Sequence, residues 1–309
     1  MKRHAFIVDS SQAGAPLDGF LAARLGWDLS AVRQLISHGS VYVGKHRCKR
    51  LDKVVRHPQT VVVVLSEGGR SSLEPSSLEL SIPILFEDDA LIAINKPAGL
   101  NSQPTAAREG ESASDWVAAY WGRDPGVVHR LDRQTSGAMI FAKTHRATAK
   151  LAQQFKDGTI GKRYLAVAGP GLPPSGKIDL PISKDPSRPG RYRASQATNG
   201  LAAVTEFIRL HQASDHCLLA LYPRTGRTHQ LRAHLTALGA PIAGDTRYGG
   251  PSEIGGRPAA RALLHARSLR FQHPFSGHWV HLEAELPEDM ALFFQSSSTP
   301  IPTGRWGSD

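Results

Sequence analysis

The segment His129-Arg130-Leu131-Asp132-Arg133-Gln134-Thr135-Ser136-Gly137 crowds one carboxylate between two arginines and runs straight into the apolar stretch Ala138-Met139-Ile140-Phe141-Ala142. Cations beside a carboxylate favour its charged form. A charged carboxylate can stabilise positive character at a reacting carbon or attack that carbon. The apolar stretch reads as a buried strand. Asp132 is therefore expected on a turn carried by a rigid element, which is how a reactive group keeps its aim.

Two further segments can supply partners. Pro223-Arg224-Thr225-Gly226-Arg227-Thr228-His229-Gln230-Leu231-Arg232-Ala233-His234-Leu235 begins as a turn and reads on as a helix. Leu231, Leu235 and Leu238 form its buried face and Gly239 its stop. The unpaired N–H groups and dipole of a helix start favour anions. Arg227 there can pair with Asp132, bind a phosphate, or merely satisfy a surface acid. Lys162-Arg163-Tyr164-Leu165-Ala166 puts a tyrosine in a strand just past a basic pair. Such a tyrosine can stack on a nucleobase and offer its hydroxyl, or simply fill the core.

Several other chemistries lack their residues. His229 and His234 are five apart, not the four that put two ligands on one helical face, and no His-Glu-x-x-His occurs, so no metal site is expected. His-Arg-Leu-Asp differs from the kinase pattern His-Arg-Asp, and no glycine-rich nucleotide loop, Asp-Phe-Gly or Walker sequence accompanies it. A serine nucleophile would want a Gly-x-Ser-x-Gly elbow, which is absent. A carbohydrate-active hydrolase would want a second carboxylate; Glu87-Asp88-Asp89 could be offered, but reads better as a turn. No cofactor fingerprint appears, and none is expected.

The chain that must position these residues has 309 of them, 40% hydrophobic, enough for about two domains with real cores. Apolar runs such as Val61 to Leu65 fall far short of the roughly 20 residues of a membrane span. Met1-Lys2-Arg3-His4-Ala5 lacks the apolar core of a secretion signal, and the isolated Cys48 and Cys217 fit a reducing compartment with neither disulfide nor zinc. A cytoplasmic protein without a membrane partner is expected. The net charge of +10 points to an anionic partner if it is concentrated in one place.

It is concentrated near the amino end. Leu17, Phe20, Leu21 and Leu25 recur at helical spacing. Ser30 stands as N-cap of a second helix whose apolar face is Val32, Leu35 and Ile36, with Gly39 at its end. Val41 and Val43 form a short strand, Gly44-Lys45 a turn, and Val61 to Leu65 a further strand, giving a compact unit over residues 1–65. Between its strands, residues 45–56 hold six cations against one acid, an excess expected of a phosphate-facing surface. This region resembles the small RNA-binding domain shared by a ribosomal small-subunit protein of the S-four type and many RNA-modifying enzymes. The likeness rests on Pro16-Leu17-Asp18-Gly19-Phe20-Leu21, Ser30 to Ile36, and Gly39 to Lys45. RNA contacts are expected of Arg33, Lys45, Arg47, Lys49 and Arg50. Residues 66–78, rich in Gly, Ser and Pro, read as a linker.

A larger domain follows over residues 79–295, with a loose tail over 296–309. It opens on the strand-like Leu91 to Lys96 and has a helix from Arg146 to Lys156. Strand candidates then follow at Tyr164 to Ala168, Ala203 to Phe207 and Cys217 to Leu221. Helices are few and strands many, so the expectation is α+β with a mainly antiparallel mixed sheet, preceded by the small α/β unit.

The motifs named so far, with Gly239-Ala240-Pro241-Ile242-Ala243-Gly244-Asp245-Thr246-Arg247-Tyr248-Gly249 and Leu263-Leu264-His265-Ala266, resemble the RluA-type pseudouridine synthases. The resemblance implies an isomerase that cleaves the glycosidic bond of a uridine in structured RNA, turns the base and reattaches it through C5. A monomer is expected, acting on large-subunit rRNA first and tRNA second because an S-four-type domain precedes the catalytic one. Asp132 is then the catalytic carboxylate, Tyr164 packs on the target base and Arg227 pairs with Asp132. Arg130, with His129 beside it, enters the RNA helix where the uridine was. Leu263 and Leu264 are expected to wall the uracil. Gln103 stands where many members have histidine. A noncatalytic RNA-binding protein of the same fold is the competing reading, and intact Asp132, Tyr164 and Arg227 argue against it.

Overall fold

The computed structural model describes residues 2–37, 40–44, 46–48, 50–51, 53–65, 81–104, 112–196 and 199–295. The chain divides into two compact units, Met1–Ser81 and Ile82–Asp309. The expected stop at Gly39, the linker over 66–78 and the tail over 296–309 lie outside the described residues, as do Lys45 and Lys49.

In the first unit, helices Leu17–Leu25 and Leu29–Ser37 pack with a four-stranded antiparallel sheet. Leu17, Phe20, Leu21, Val32 and Ile36 meet Val41, Val61 and Val63 in its core. The valine run alternates as a one-sided strand must, with Val61 and Val63 buried and Val62 half-buried. Its second helix is capped by Asp28, whose Oδ1 accepts the Ala31 N–H at 2.9 Å, not by Ser30, which lies inside the helix. The strand Lys2–Ile7 has too polar a start to be read from pattern; pairing along Thr60–Leu65 makes it a strand. Arg33 is engaged within the unit, donating from Nε to the buried Asp18 at 2.8 Å. That hydrogen bond holds the Asp18 carboxyl below its usual range despite burial. Arg50 is exposed, and Arg47 lies in the strand His46–Cys48.

The second unit is built on a ten-stranded sheet. In spatial order run Ser175–Asp179, Val204–Gln212, Cys217–Pro223, Gly161–Ala168, Leu264–Gln272, Ser136–Ala142, Leu91–Lys96 and Ile84–Glu87. Trp279–Glu283 pairs beside Leu264–Gln272, and Gly126–Val127 beside Ser136–Ala142. All pairings are antiparallel except Leu264–Gln272 with Ser136–Ala142, which run parallel at His265 and Ala266. The fold is thus α+β with a mainly antiparallel mixed sheet. Ser136–Ala142 is buried along its whole length, flanked on both sides by other strands. Gly137 sits at φ 115° where the two parallel strands nearly touch, and a Cβ there would strike the Ala266 carbonyl. Of Glu87-Asp88-Asp89, Glu87 ends the strand Ile84–Glu87 and Asp88 and Asp89 begin the bend after it, where Asp88 Oδ1 accepts the N–H groups of Ala90 and Leu91 at 2.8 and 2.9 Å.

The long helix His145–Asp157 starts at Thr144, whose Oγ1 accepts the Ala147 N–H, and stops at Gly158 in the left-handed region. The short helix Gln230–Ala237 buries Leu231 and Leu235, but Leu238 is 40% exposed. The helix has ended by Ala237, and Leu238 begins the turn through Gly239 that swings the chain away. Cys48 and Cys217 are both buried, free thiols.

Candidate active site

A cavity of about 570 Å³ opens in the second unit, a size suited to a small ligand. His129 to Asp132, Lys162, Tyr164, Arg224, Arg227, His229, Arg232 and Leu264 are on its lining. The loop leading into Ser136–Ala142, the strand Gly161–Ala168 and the start of the helix Gln230–Ala237 converge here, so the three sequence segments that promised chemistry are brought together.

The aspartate loop is tied down at nearly every residue. His129 Nε2 accepts the Ile140 N–H at 2.9 Å, and its ring stacks on Phe155 with centroids 4.4 Å apart. Burial, with the charge of Lys162, pushes this imidazole down to about 3. His129, expected among the RNA-contacting residues, therefore works inward as a neutral pin between loop and strand. Ser102 Oγ accepts the Leu131 N–H and donates to the Leu131 carbonyl, at 2.8 and 2.7 Å. Arg133 Nε donates to the Gly99 carbonyl while the Gly99 N–H donates back to that of Arg133. The fully buried Lys96 Nζ donates to the carbonyls of Pro97, Leu100 and Arg133. Residues 96–102 thus act as a clamp on the loop that carries Asp132. The position that holds Gln103 is adjacent to that clamp.

The charge partner of Asp132 is not the one expected. Arg227 Nε donates to the Ala202 carbonyl at 3.0 Å. Arg130 Nη2 reaches Thr228 Oγ1 at 3.3 Å, and Arg133 is turned to Gly99. Arg232 Nη1 instead donates to Asp132 Oδ2 at 3.0 Å. Successive side chains of the loop diverge, whereas Arg232 rises from the first turn of its helix directly beneath the carboxylate. Arg232 is itself gripped by Asp245, Nε to Oδ2 at 2.6 Å and Nη2 to Oδ1 at 2.9 Å, and lies 4.7 Å over the Tyr248 ring. Burial works against its charge, but the hydrogen bonds and charges of Asp245 and Asp132 outweigh it and hold the guanidinium above its usual pKa. No sequence signal singled out Arg232 among the three arginines of its segment. The acid in Gly-Asp-Thr-Arg-Tyr-Gly, buried to 1% exposure at Asp245, was the available hint, because a buried carboxylate needs a cation.

The turn before the helix is organised by Gln230. Its Oε1 accepts from Thr225 Oγ1 and the Arg227 N–H, and its Nε2 donates to the Val204 carbonyl and Thr205 Oγ1. Tyr164 lies on the cavity wall against the core cluster that includes Leu264. Burial, then the nearby Asp132 charge, pushes its phenol well up, so it stays protonated. Lys162, two residues earlier on the same face, donates to the Thr225 carbonyl at 3.1 Å; burial lowers it to about 8. Of the two leucines expected to face uracil, only Leu264 lines the cavity. Leu263 is packed with Leu165, Val167 and Ala243 in a separate core, since neighbours along an extended chain point to opposite faces. Arg130 remains exposed at the cavity margin.

Residues 90–237 match the protein family described as RNA pseudouridylate synthase. The chain is 35% identical over 292 residues to a Bacillus subtilis protein named as the uncharacterized RNA pseudouridine synthase YhcT, covering 92% of this chain and 94% of that one. It is 34% identical over 302 residues to the ribosomal large subunit pseudouridine synthase D of Neisseria meningitidis, covering 93% of this chain and 80% of that one. Among solved structures, human RNA pseudouridylate synthase domain containing 4 aligns with a TM-score of 0.57 at 25% identity, over 71% of this chain and 94% of that one.

Proposed function

The chain belongs to the RluA-type RNA pseudouridine synthases, isomerases that act on RNA, and on that premise we propose that it converts uridines of large-subunit ribosomal RNA, as a cytoplasmic monomer, with Asp132 as the reacting carboxylate. The observation that carries the reading is the Asp132–Arg232 pair inside a cavity walled by Tyr164 and Leu264. In the isomerisation the N1–C1′ bond breaks, the uracil turns, C5 bonds to C1′, the C5 proton leaves and N1 takes a proton. Nothing is gained or lost overall. Cleavage builds positive character at C1′, which a fixed carboxylate stabilises or traps covalently. Arg232, itself anchored by Asp245, keeps that carboxylate aimed.

The detached uracil must be held while it turns, and the flat face of Tyr164 with Leu264 beside it supplies a wall. The protonated phenol is a hydrogen-bond donor, so the C5 proton passes to water in this reading. A stacked uridine must first be extruded, at a cost of a few kcal/mol. Arg130, exposed beside the cavity, is suited to fill the gap it leaves. Lys45, Arg47, Lys49 and Arg50 give the first unit a basic segment for structured RNA. Relatives named for the ribosomal large subunit favour rRNA over tRNA as the target.

The test uses RNA carrying tritium at uridine C5, since each turnover frees that tritium to water. Large-subunit rRNA should release it and tRNA should not, and Asp132→Asn should release none while still binding RNA. Turnover by Asp132→Asn would overturn the residue assignment. Release from tRNA alone would overturn the substrate.

A further inference from the structure

The two oxygens of Asp132 are not equivalent. Oδ2 accepts from Arg232 Nη1 at 3.0 Å and faces His229 Nε2 at 3.9 Å, whereas Oδ1 receives no hydrogen bond from the described residues. His229 reaches this place by an unusual backbone. Among the described residues it is the non-glycine with positive φ, at 55° with ψ 22°, a state held against preference where a site requires it. Its ring stands edge-on to Tyr192 and Tyr248, with centroids 5.5 and 5.7 Å away.

The hydrogen bonds around the ring bear on where its proton sits. The Tyr192 N–H donates to Tyr248 Oη at 2.9 Å, and the same oxygen lies 3.0 Å from His229 Nδ1. Tyr248 is 2% exposed. Its oxygen already accepts from Tyr192, and its single proton has Nδ1 as the acceptor within reach. With the phenol proton directed at Nδ1, Nδ1 is the accepting nitrogen and Nε2, on the edge toward Asp132, carries the hydrogen.

We propose that Tyr248 locks His229 in the Nε2–H tautomer, and that neutral His229 is a positioning residue that steadies Asp132 Oδ2 and leaves Oδ1 to the sugar. The proposal rests on Asp132 being the reacting carboxylate. Burial keeps the imidazole below its ordinary pKa, and Arg232 and Arg247 act in the same direction against the pull of Asp132 and Asp245. Neutrality matters for the chemistry. The dipole of a neutral N–H 3.9 Å away turns its positive end to the carboxylate without cancelling its charge, whereas an imidazolium next to Arg232 would weaken the negative potential that meets C1′. The opposite tautomer would turn a lone pair toward the carboxylate and repel it.

Two readouts separate this from a merely structural histidine. With 15N-labelled histidine, a two-bond proton–nitrogen correlation spectrum should show His229 protonated on Nε2, its signal identified by loss in His229→Asn. Tyr248→Phe keeps the ring beneath Arg232 but removes the lock, so both tautomers should appear. In single-turnover assays Tyr248→Phe should be roughly tenfold slower, the worth of one good hydrogen bond, with RNA binding unchanged. Protonation of His229 should give the parent rate an acid limb, and in Tyr248→Phe that limb should move to higher pH because Nδ1 is freed for protonation. His229→Asn tolerates the left-handed backbone yet cannot reach Asp132, so it should be slow and lose that limb; His229→Gln should recover part of the rate. A wild-type spectrum showing Nδ1–H would overturn the proposal, as would a shifted tautomer with unchanged rate and pH profile. The spectrum is recorded without RNA, so it stands or falls independently of whether Asp132→Asn retains turnover.

Discussion

Replacing Arg232 by methionine removes one cation from two carboxylates, and the consequences for each differ. Asp245 is 1% exposed and receives two of the arginine's hydrogen bonds, at 2.6 and 2.9 Å. Without them it is an uncompensated buried charge, and breaking such a pair from one side costs about 3–5 kcal/mol. For a unit of this size that lowers the melting temperature by roughly 6–20 °C. Removing the acid as well, in Arg232→Met/Asp245→Asn, takes away the stranded charge and should restore most of the loss, because a buried pair replaced on both sides is often close to neutral. Asp132 behaves differently. Its side chain is 30% exposed, so water stabilises it when Arg232 is gone, but the hydrogen bond that sets its direction is lost. The double variant should therefore be nearly as stable as the parent by urea denaturation and still slow by at least tenfold in tritium release at 25 °C. A double variant as unstable as the single one would refute the buried-charge argument. A stable double variant with full turnover would refute the claim that Arg232 aims Asp132.

Other expectations follow from the clamp and the loop. His129 is held neutral in the fold by burial, with the charge of Lys162, which together push its pKa down to about 3, below the unfolded value of 6.5, while Nε2 accepts the Ile140 N–H. The stability it contributes is present above pH 6.5 and is lost as pH falls toward 3, at up to about 1.4 kcal/mol per pH unit. His129→Gln should show a shallower acid slope in that window, and an unchanged slope would place the acid sensitivity elsewhere. Ser102→Ala leaves the Leu131 N–H and carbonyl without their partner, for a loss of about 1–3 kcal/mol. Its turnover number should fall more than its RNA affinity, read by single-turnover kinetics against filter binding. Changing Lys45, Arg47, Lys49 and Arg50 together to glutamine should flatten the dependence of RNA affinity on salt, by about 0.7–0.9 in log–log slope for each phosphate contact removed. An unchanged slope would show that this basic run does not face RNA.

The helical spacing of Leu17, Phe20 and Leu21, the alternating valines of Thr60–Leu65 and the apolar run at Ala138–Ala142 each determined an element. Periodicity is a local property, so a single sequence carries it. The same holds for the site's ingredients: Asp132, Tyr164 and the turn before Gln230–Ala237 were visible as residue types in unusual company. Their assignment to one another was not visible. Arg130 and Arg133 are sequence neighbours of Asp132 but are turned to Thr228 and Gly99, while Arg232, 100 positions away, makes the ion pair. Leu263 and Leu264 are adjacent in sequence and face different cores. Coulomb attraction and contact depend on distance in space, and that distance is set by which strands pair and how a helix is rotated against them. The sequence by itself determined the elements and the chemical inventory of this synthase. Only the convergence of the aspartate loop, the strand Gly161–Ala168 and the helix Gln230–Ala237 at the cavity decided that Arg232 holds the carboxylate, that His129 pins the loop from inside, and that His229 turns its edge toward Asp132.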